Sequence, residues 1–173
     1  MMCPVELRRA TQPDWPAIWP VWHEVVAAGE TYCWAPDTPE AEARALWMLP
    51  EPAEVWVAAR DGAVVGTAVL KPNQPGRGSH VANASFMVAA AATGHGVGRA
   101  LAERLLHRAA ELGYLAMQFN AVVGTNTRAI ALWRSLGFTI VGTVPAAFRH
   151  PAHGLVPLHV MHRLVGAADR GGA

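Results

Sequence analysis

Apolar positions along this chain recur in two rhythms, period two and period 3.6, and the switches between them mark out its elements. Val5 to Thr11 alternates and predicts a short first strand. Ile18, Val21, Trp22 and Val25 then recur at helical spacing after Pro13-Asp14, with Gly29 as the stop. Pro16 is tolerated near that helix start, whereas Pro20 predicts a kink or break. After an aromatic-bearing loop, Asp37-Thr38-Pro39-Glu40 predicts a capped helix running to about Met48. Two β-rich runs, 54–60 and 63–71, flank Asp61-Gly62, a strong hairpin signal.

A strand over 80–88 leads into three alternate glycines, Gly94, Gly96 and Gly98, and a helix follows from Arg99 to Leu112. Leu101, Leu105, Leu106, Ala109 and Leu112 share one face of it, and Gly113 is the expected C-cap. A strand over 114–123 comes next, then a helix capped at Thr125-Asn126 and closed by Gly137. Strands over 138–144 and 155–164, separated by a Pro/His-bearing loop, complete the pattern. Residues 166–173 predict a disordered tail. The order predicts one α/β (α+β) domain over 1–165, a mixed sheet with helices packed on it.

Composition narrows the classes. With 52% hydrophobic and 16% charged residues the chain is globular, and a formal charge of +1 gives no electrostatic reason for nucleic acid or an anionic membrane. Cys3 and Cys33 lack metal or redox spacing and read as free thiols of a reducing compartment. No signal-peptide core and no membrane-length apolar run is present, so a cytoplasmic location is expected. Eight histidines raise the question of a metal. His150 and His153 lie in the predicted loop with Pro151 between them, and His159 and His162 would face opposite sides of a strand. No cysteine or carboxylate completes a set, so no metal is expected.

The chemistry starts at the glycines. A strand, a glycine turn and a helix N-terminus in that order aim unpaired backbone N–H groups and the positive helix end at an anion. The spacing Gly-x-Gly-x-Gly does not fit a dinucleotide turn, which needs Gly-x-Gly-x-x-Gly.

Two stretches carry a resemblance. Thr93-Gly94-His95-Gly96-Val97-Gly98 resembles the acetyl-CoA loop of the GCN5-related N-acetyltransferases (GNAT). Asn126, Ala129, Leu132, Trp133, Gly137 and Phe138, about thirty residues later, resemble that family's Asn-x-x-Ala-x-x-Leu-Tyr-x-x-x-Gly-Phe run. The resemblance implies a GNAT-type, mostly antiparallel sheet flanked by helices, acetyl-CoA as co-substrate and direct N-acetylation. It implies that backbone at Phe86, Met87 and Val88 holds the pantetheine arm. Thr93, Gly94, His95, Gly96, Val97, Gly98 and Arg99 would hold the pyrophosphate, and Asn126 and Trp133 would lie near the reactive end. Asn83, Asn120 and Asn126 are also similar to a fungal branch that acetylates proline analogues, which implies substrate or oxyanion roles for Asn83 and Asn120.

Departures from the pattern carry information. Thr93 replaces an Arg/Gln, and Ala90 replaces a Pro that would stiffen the turn. Trp133 replaces the Tyr proposed to protonate the leaving thiolate, and an indole N–H cannot do so. The loss is bounded at about 10²–10⁴-fold, so activity is expected to survive. No carboxylate lies on the 80–88 strand. Glu30, Tyr32 and His80 are the candidate bases by position, and a weakly basic or α-amino acceptor is favoured. Tyr32 and Trp34, in a loop, are expected to line the acceptor pocket, with Phe148 and Arg149 opposite. The expected partner is a small-molecule amine, and the protein a monomer or homodimer. A non-catalytic acyl-CoA-binding module is the alternative suggested by Trp133 and the missing carboxylate.

Overall fold

A computed structural model describes residues 4–166. The expectation of a disordered tail therefore falls, apart from Gly166, outside the described residues. Seven strands form one sheet: β1 (Glu6–Arg9), β2 (Glu54–Arg60), β3 (Ala63–Pro72), β4 (Val81–Val88), β5 (Ala116–Val123), β6 (Thr139–His150) and β7 (Gly154–Leu164). The four helices are α1 (Trp15–Ala27), α2 (Glu40–Trp47), α3 (Val97–Glu111) and α4 (Thr127–Ser135). Strand order is β1-β2-β3-β4-β5-β7-β6, antiparallel everywhere except between β4 and β5. The expected mixed, mostly antiparallel sheet is the one observed.

Strand alternation sorts the core into two layers. Val55, Val57, Val69 and Met87 face α1 and α2, where Trp15, Ile18, Trp22, Val26 and Trp47 meet them. Trp56, Ala58, Ala68, Leu70, Ala82 and Ala84 face the opposite side, against Leu101 and Leu105 of α3. The Asp61-Gly62 turn has positive φ at both residues, 52° and 78°, the twist that suits a two-residue hairpin.

Three local expectations change. Helix α1 runs unbroken through Pro20, because Ile18, Val21, Trp22 and Val26 on both sides of it are buried in one core. Helix α2 has no side-chain cap bond: Pro39 holds the N-cap position, and the Thr38 hydroxyl turns back to the Ala35 carbonyl. The Pro/His-bearing loop is mostly strand. Segment β6 continues to His150, pairing Phe148, Arg149 and His150 with Val156, Leu155 and Gly154. An irregularity between Val144 and Phe148, with Ala146 at φ 51°, absorbs Pro145 and hides the strand from period-two reading.

The parallel pair is the feature that makes a site. β4 and β5 pair only at Val81–Ala116 and Ala82–Met117, near their starts, and then separate. Beyond the last pair each strand turns backbone groups towards an open wedge.

Candidate active site

The wedge is the mouth of a cavity of about 780 Å³. Its walls are the diverging halves of β4 and β5, the glycine turn, the first turns of α3 and α4, and the α1–α2 loop.

The glycine turn is built for close approach. Gly94 and Gly96 have φ of 85° and 81°, which only glycine adopts without strain. Gly96 is the N-cap of α3. The N–H groups of Gly94, Gly96, Val97, Gly98 and Arg99 have no backbone acceptor among the described residues. Gly66 on β3 seats the helix, since a Cβ there would lie 2.9 Å from Val97 Cγ1 and 3.2 Å from the Met87 carbonyl. The result is an anion cradle at a helix N-terminus.

The departures from the family pattern find structural substitutes. Ala90 N–H donates to Glu24 Oε2 of α1 at 2.9 Å, a tether that proline could not form. The Thr93 hydroxyl donates to the Ala89 carbonyl at 3.2 Å and closes the short turn before Gly94. Arg99 lines the cavity while donating to Ser135 Oγ at 2.7 Å and pairing with Glu103 at 3.4 Å. His95 is exposed, and its carbonyl accepts from Arg60 at 3.3 Å. Val97 is buried under the cradle with its side chain in the core.

On β4, Ala89 N–H donates to Val65 of β3, so by alternation Phe86 and Val88 turn their N–H and C=O groups into the wedge. The Phe86 ring packs on the floor with Trp133 (ring centroids 5.0 Å apart), Phe119 (6.1 Å) and, through Phe119, Phe138. Met87 is fully buried against α1 and α2. Trp133 therefore replaces a phenol with a packed indole. Asn126 lines the cavity, and its Oδ1 accepts from Ala129 N–H at 3.2 Å, capping α4 as expected.

The two strand asparagines part company. Asn83 Nδ2 donates across the wedge to the Gln118 carbonyl of β5 at 2.9 Å, close to where the strands begin to diverge. Asn120 is exposed in a bulge where β5 loses register with β7, and bulges re-aim side chains. Its amide donates to Asn73 Oδ1 at 2.7 Å and accepts from Gln118 Nε2 at 2.9 Å. Both line the cavity.

Tyr32 and Trp34 form the wall nearest α1, ring planes 6° apart at 5.0 Å. Burial raises the Tyr32 hydroxyl pKa above its ordinary value, which favours the neutral phenol. Glu30 lines the cavity; His80 is exposed and does not. Phe148 and Arg149 are not on this wall. Phe148 is buried with Val123 and Val156, and Arg149 is an exposed strand residue opposite Leu155.

Sequence reading missed Glu24, Arg60 and Arg128. A Cβ on Gly94 would lie 3.4 Å from Arg128 Nη2, so that guanidinium stands beside the cradle. Its place two residues after the capping Asn126 was the available signal. Among the described residues no group of His, Cys, Asp and Glu could hold a metal ion.

Residues 7–138 match the acetyltransferase (GNAT) family. The chain belongs to this family, and the class so defined is the acetyl-CoA-dependent N-acetyltransferase. A solved GCN5-related N-acetyltransferase from Kribbella flavida is 54% identical, covers 93% of this chain and 98% of its own, and superposes with a TM-score of 0.89. A phosphinothricin acetyltransferase from Sinorhizobium meliloti, solved with AcCoA, is 27% identical over 95% of this chain and 90% of its own, with a TM-score of 0.84. The N-acetyltransferase aca1 of Schizosaccharomyces pombe is 39% identical over 90 residues, 52% of this chain. That match spans only 43% of aca1.

Proposed function

We propose that this protein transfers the acetyl group of acetyl-CoA to the amine of a small molecule, an amino or imino acid or similar, in the cytoplasm and as a monomer or homodimer. The observation that carries the reading is the meeting, in one cavity, of the donor cradle at 94–99 with the stretch of β4 around Val88 that no neighbouring strand pairs on its β5 side. The cradle fits a pyrophosphate, and Arg128 and Arg99 add positive charge beside it. The β4 edge at Val88 fits an amide-bearing arm laid down as an extra strand. Asn126 and Trp133 flank the inner end of that path.

The acceptor side belongs to Tyr32, Trp34 and Asn120, whose amide is exposed within the wedge. Asn83, tied to β5, positions the divergence of the two strands. The likeness to an enzyme named for phosphinothricin supports a small acceptor. Acetyl transfer forms a C–N bond, breaks a C–S bond and moves one proton from amine to thiol. The β4 wall of the cavity carries no carboxylate, so the amine's proton leaves through water or through a group outside that strand.

The test is thiol release from acetyl-CoA over a panel of amino acids, imino acids, polyamines and aminoglycosides. Release with one small class is expected. Acetyl-CoA binding with no release across the panel would overturn the turnover reading and leave a binding module. For the productive acceptor, Asn120→Ala should cut kcat about 10–10³-fold with acetyl-CoA affinity little changed.

A further inference from the structure

Tyr32, reaching across from the α1–α2 loop, places its hydroxyl on the backbone of Phe86 in the middle of β4. The hydroxyl accepts from Phe86 N–H at 3.0 Å and donates to Phe86 C=O at 2.7 Å. Phe86 is among the positions whose backbone faces the wedge, and its N–H already has an acceptor in that hydroxyl. Polarisation from that N–H can reach a group in the cavity only through the phenol.

The phenol ring is held from two sides. It stacks on Trp34, which stacks on Trp22 at 5.4 Å, and Trp47 meets it edge-on at 6.4 Å. Ring motion is thereby restricted, and the free coordinate is rotation of the hydroxyl hydrogen about the C–O bond. Rotation releases the Phe86 carbonyl while the Phe86 N–H bond stays, and a hydroxyl that accepts a hydrogen bond is a stronger donor. Burial keeps the group neutral and therefore able to donate. Of the two tyrosines in the chain only Tyr32 lines the cavity, and the indole of Trp133 fills the place of the family's phenol.

We propose that the Tyr32 hydroxyl, backed by Phe86 N–H, is the donor that stabilises charge on the carbonyl oxygen during acyl transfer. The inference rests on the acetyltransferase reading and adds a catalytic residue to it. As the amine lone pair forms the C–N bond, the carbonyl π pair moves onto oxygen. It returns as the C–S bond breaks and the thiolate leaves with its electrons. The amine's proton ends on the thiol. Tyr32 supplies a hydrogen bond throughout and loses no proton.

Tyr32→Phe keeps the ring stack and removes the donor. Its turnover should fall about 10²–10³-fold. Acetyl-CoA affinity by calorimetry should stay within about threefold of the parent. A second readout needs no acceptor: the infrared stretch of carbonyl-labelled acetyl-CoA bound to the protein. The parent should shift it below the solution frequency, Tyr32→Phe should return it towards solution, and a fluorotyrosine at position 32, a stronger donor of nearly the same shape, should lower it further. An identical carbonyl frequency in the parent and Tyr32→Phe overturns the proposal, as does turnover within about threefold of the parent. Tighter acetyl-CoA binding with full turnover would make the hydroxyl a plug on Phe86 and equally overturn it. A parent protein that binds no acetyl-CoA fails at the earlier step, the functional reading itself, and this inference falls with it.

Discussion

At its C-terminal end α3 presents Arg108, which donates to both carboxylate oxygens of Glu54, at 2.7–3.2 Å, and to Glu111 at 3.0 Å. At its N-terminal end the N–H groups of Val97, Gly98 and Arg99 find no backbone acceptor among the described residues. One end of the helix is saturated and the other is left open. Glu54, on β2 and only 5% exposed, also accepts from Trp56 Nε1 and lies 3.5 Å from Arg9. A buried carboxylate requires such partners, and the cluster joins three elements. The open end makes no comparable contribution to folding, and its donors stay available to an anion. The two ends should therefore respond to substitution in different observables: stability at the closed end, ligand affinity at the open one.

The sharpest break in that contrast is Gly96→Asp. The carboxylate enters the cradle, and acetyl-CoA affinity should fall about 10²-fold or more by calorimetric titration. The positive φ of Gly96 adds a folding cost of about 1–2 kcal/mol. At the closed end, Glu54→Gln should cost about 2–3 kcal/mol in urea unfolding, less than a fully buried pair because Arg108 is partly exposed. Acetyl-CoA affinity of that variant should be unchanged.

The closed end also predicts a pH signature. Hydrogen bonding to Arg108 lowers the Glu54 pKa in the folded protein. A carboxylate lowered in this way contributes stability above its unfolded pKa of about 4.3, and that stability is lost as pH falls through the lower folded value. Asp14, lowered by its bond to Arg8, has the same sign. Unfolding free energy should fall below about pH 4 in the parent and fall less steeply in Glu54→Gln.

Arg128→Ala, beside the cradle, should weaken acetyl-CoA about tenfold, with a reduced dependence on salt. The smallest effect belongs to Asn126→Ala, which removes the α4 cap and should cost about 1 kcal/mol of stability. If Arg128→Ala lowered stability and left affinity intact, the open end would be structural and the contrast would fail.

Much of this arrangement is legible in the residues. The Gly94 to Arg99 turn, the Asn126 cap and the Asp61-Gly62 hairpin are local, and glycine, asparagine and short-range periodicity report local backbone directly. Of the kink or break expected at Pro20, the break does not occur, because tertiary burial of the apolar positions on both sides outweighs one lost hydrogen bond. The late β6 segment was invisible because bulges shift its apolar phase. Phe148 and Arg149 were placed opposite Tyr32 on the strength of a loop that is largely strand.

The sequence by itself determined the order of elements and the glycine turn before α3, since both follow from local propensity and spacing. Only the tertiary structure decided which long-range partners meet. Ala90 is tied to Glu24, 66 residues away, Arg128 stands beside Gly94, and Tyr32 lies on the backbone of Phe86, 54 residues on. These contacts depend on where β4 and β5 stop pairing and on how the aromatic loop packs on α1. That packing is a sum of distant burial terms with no periodicity of its own to betray it.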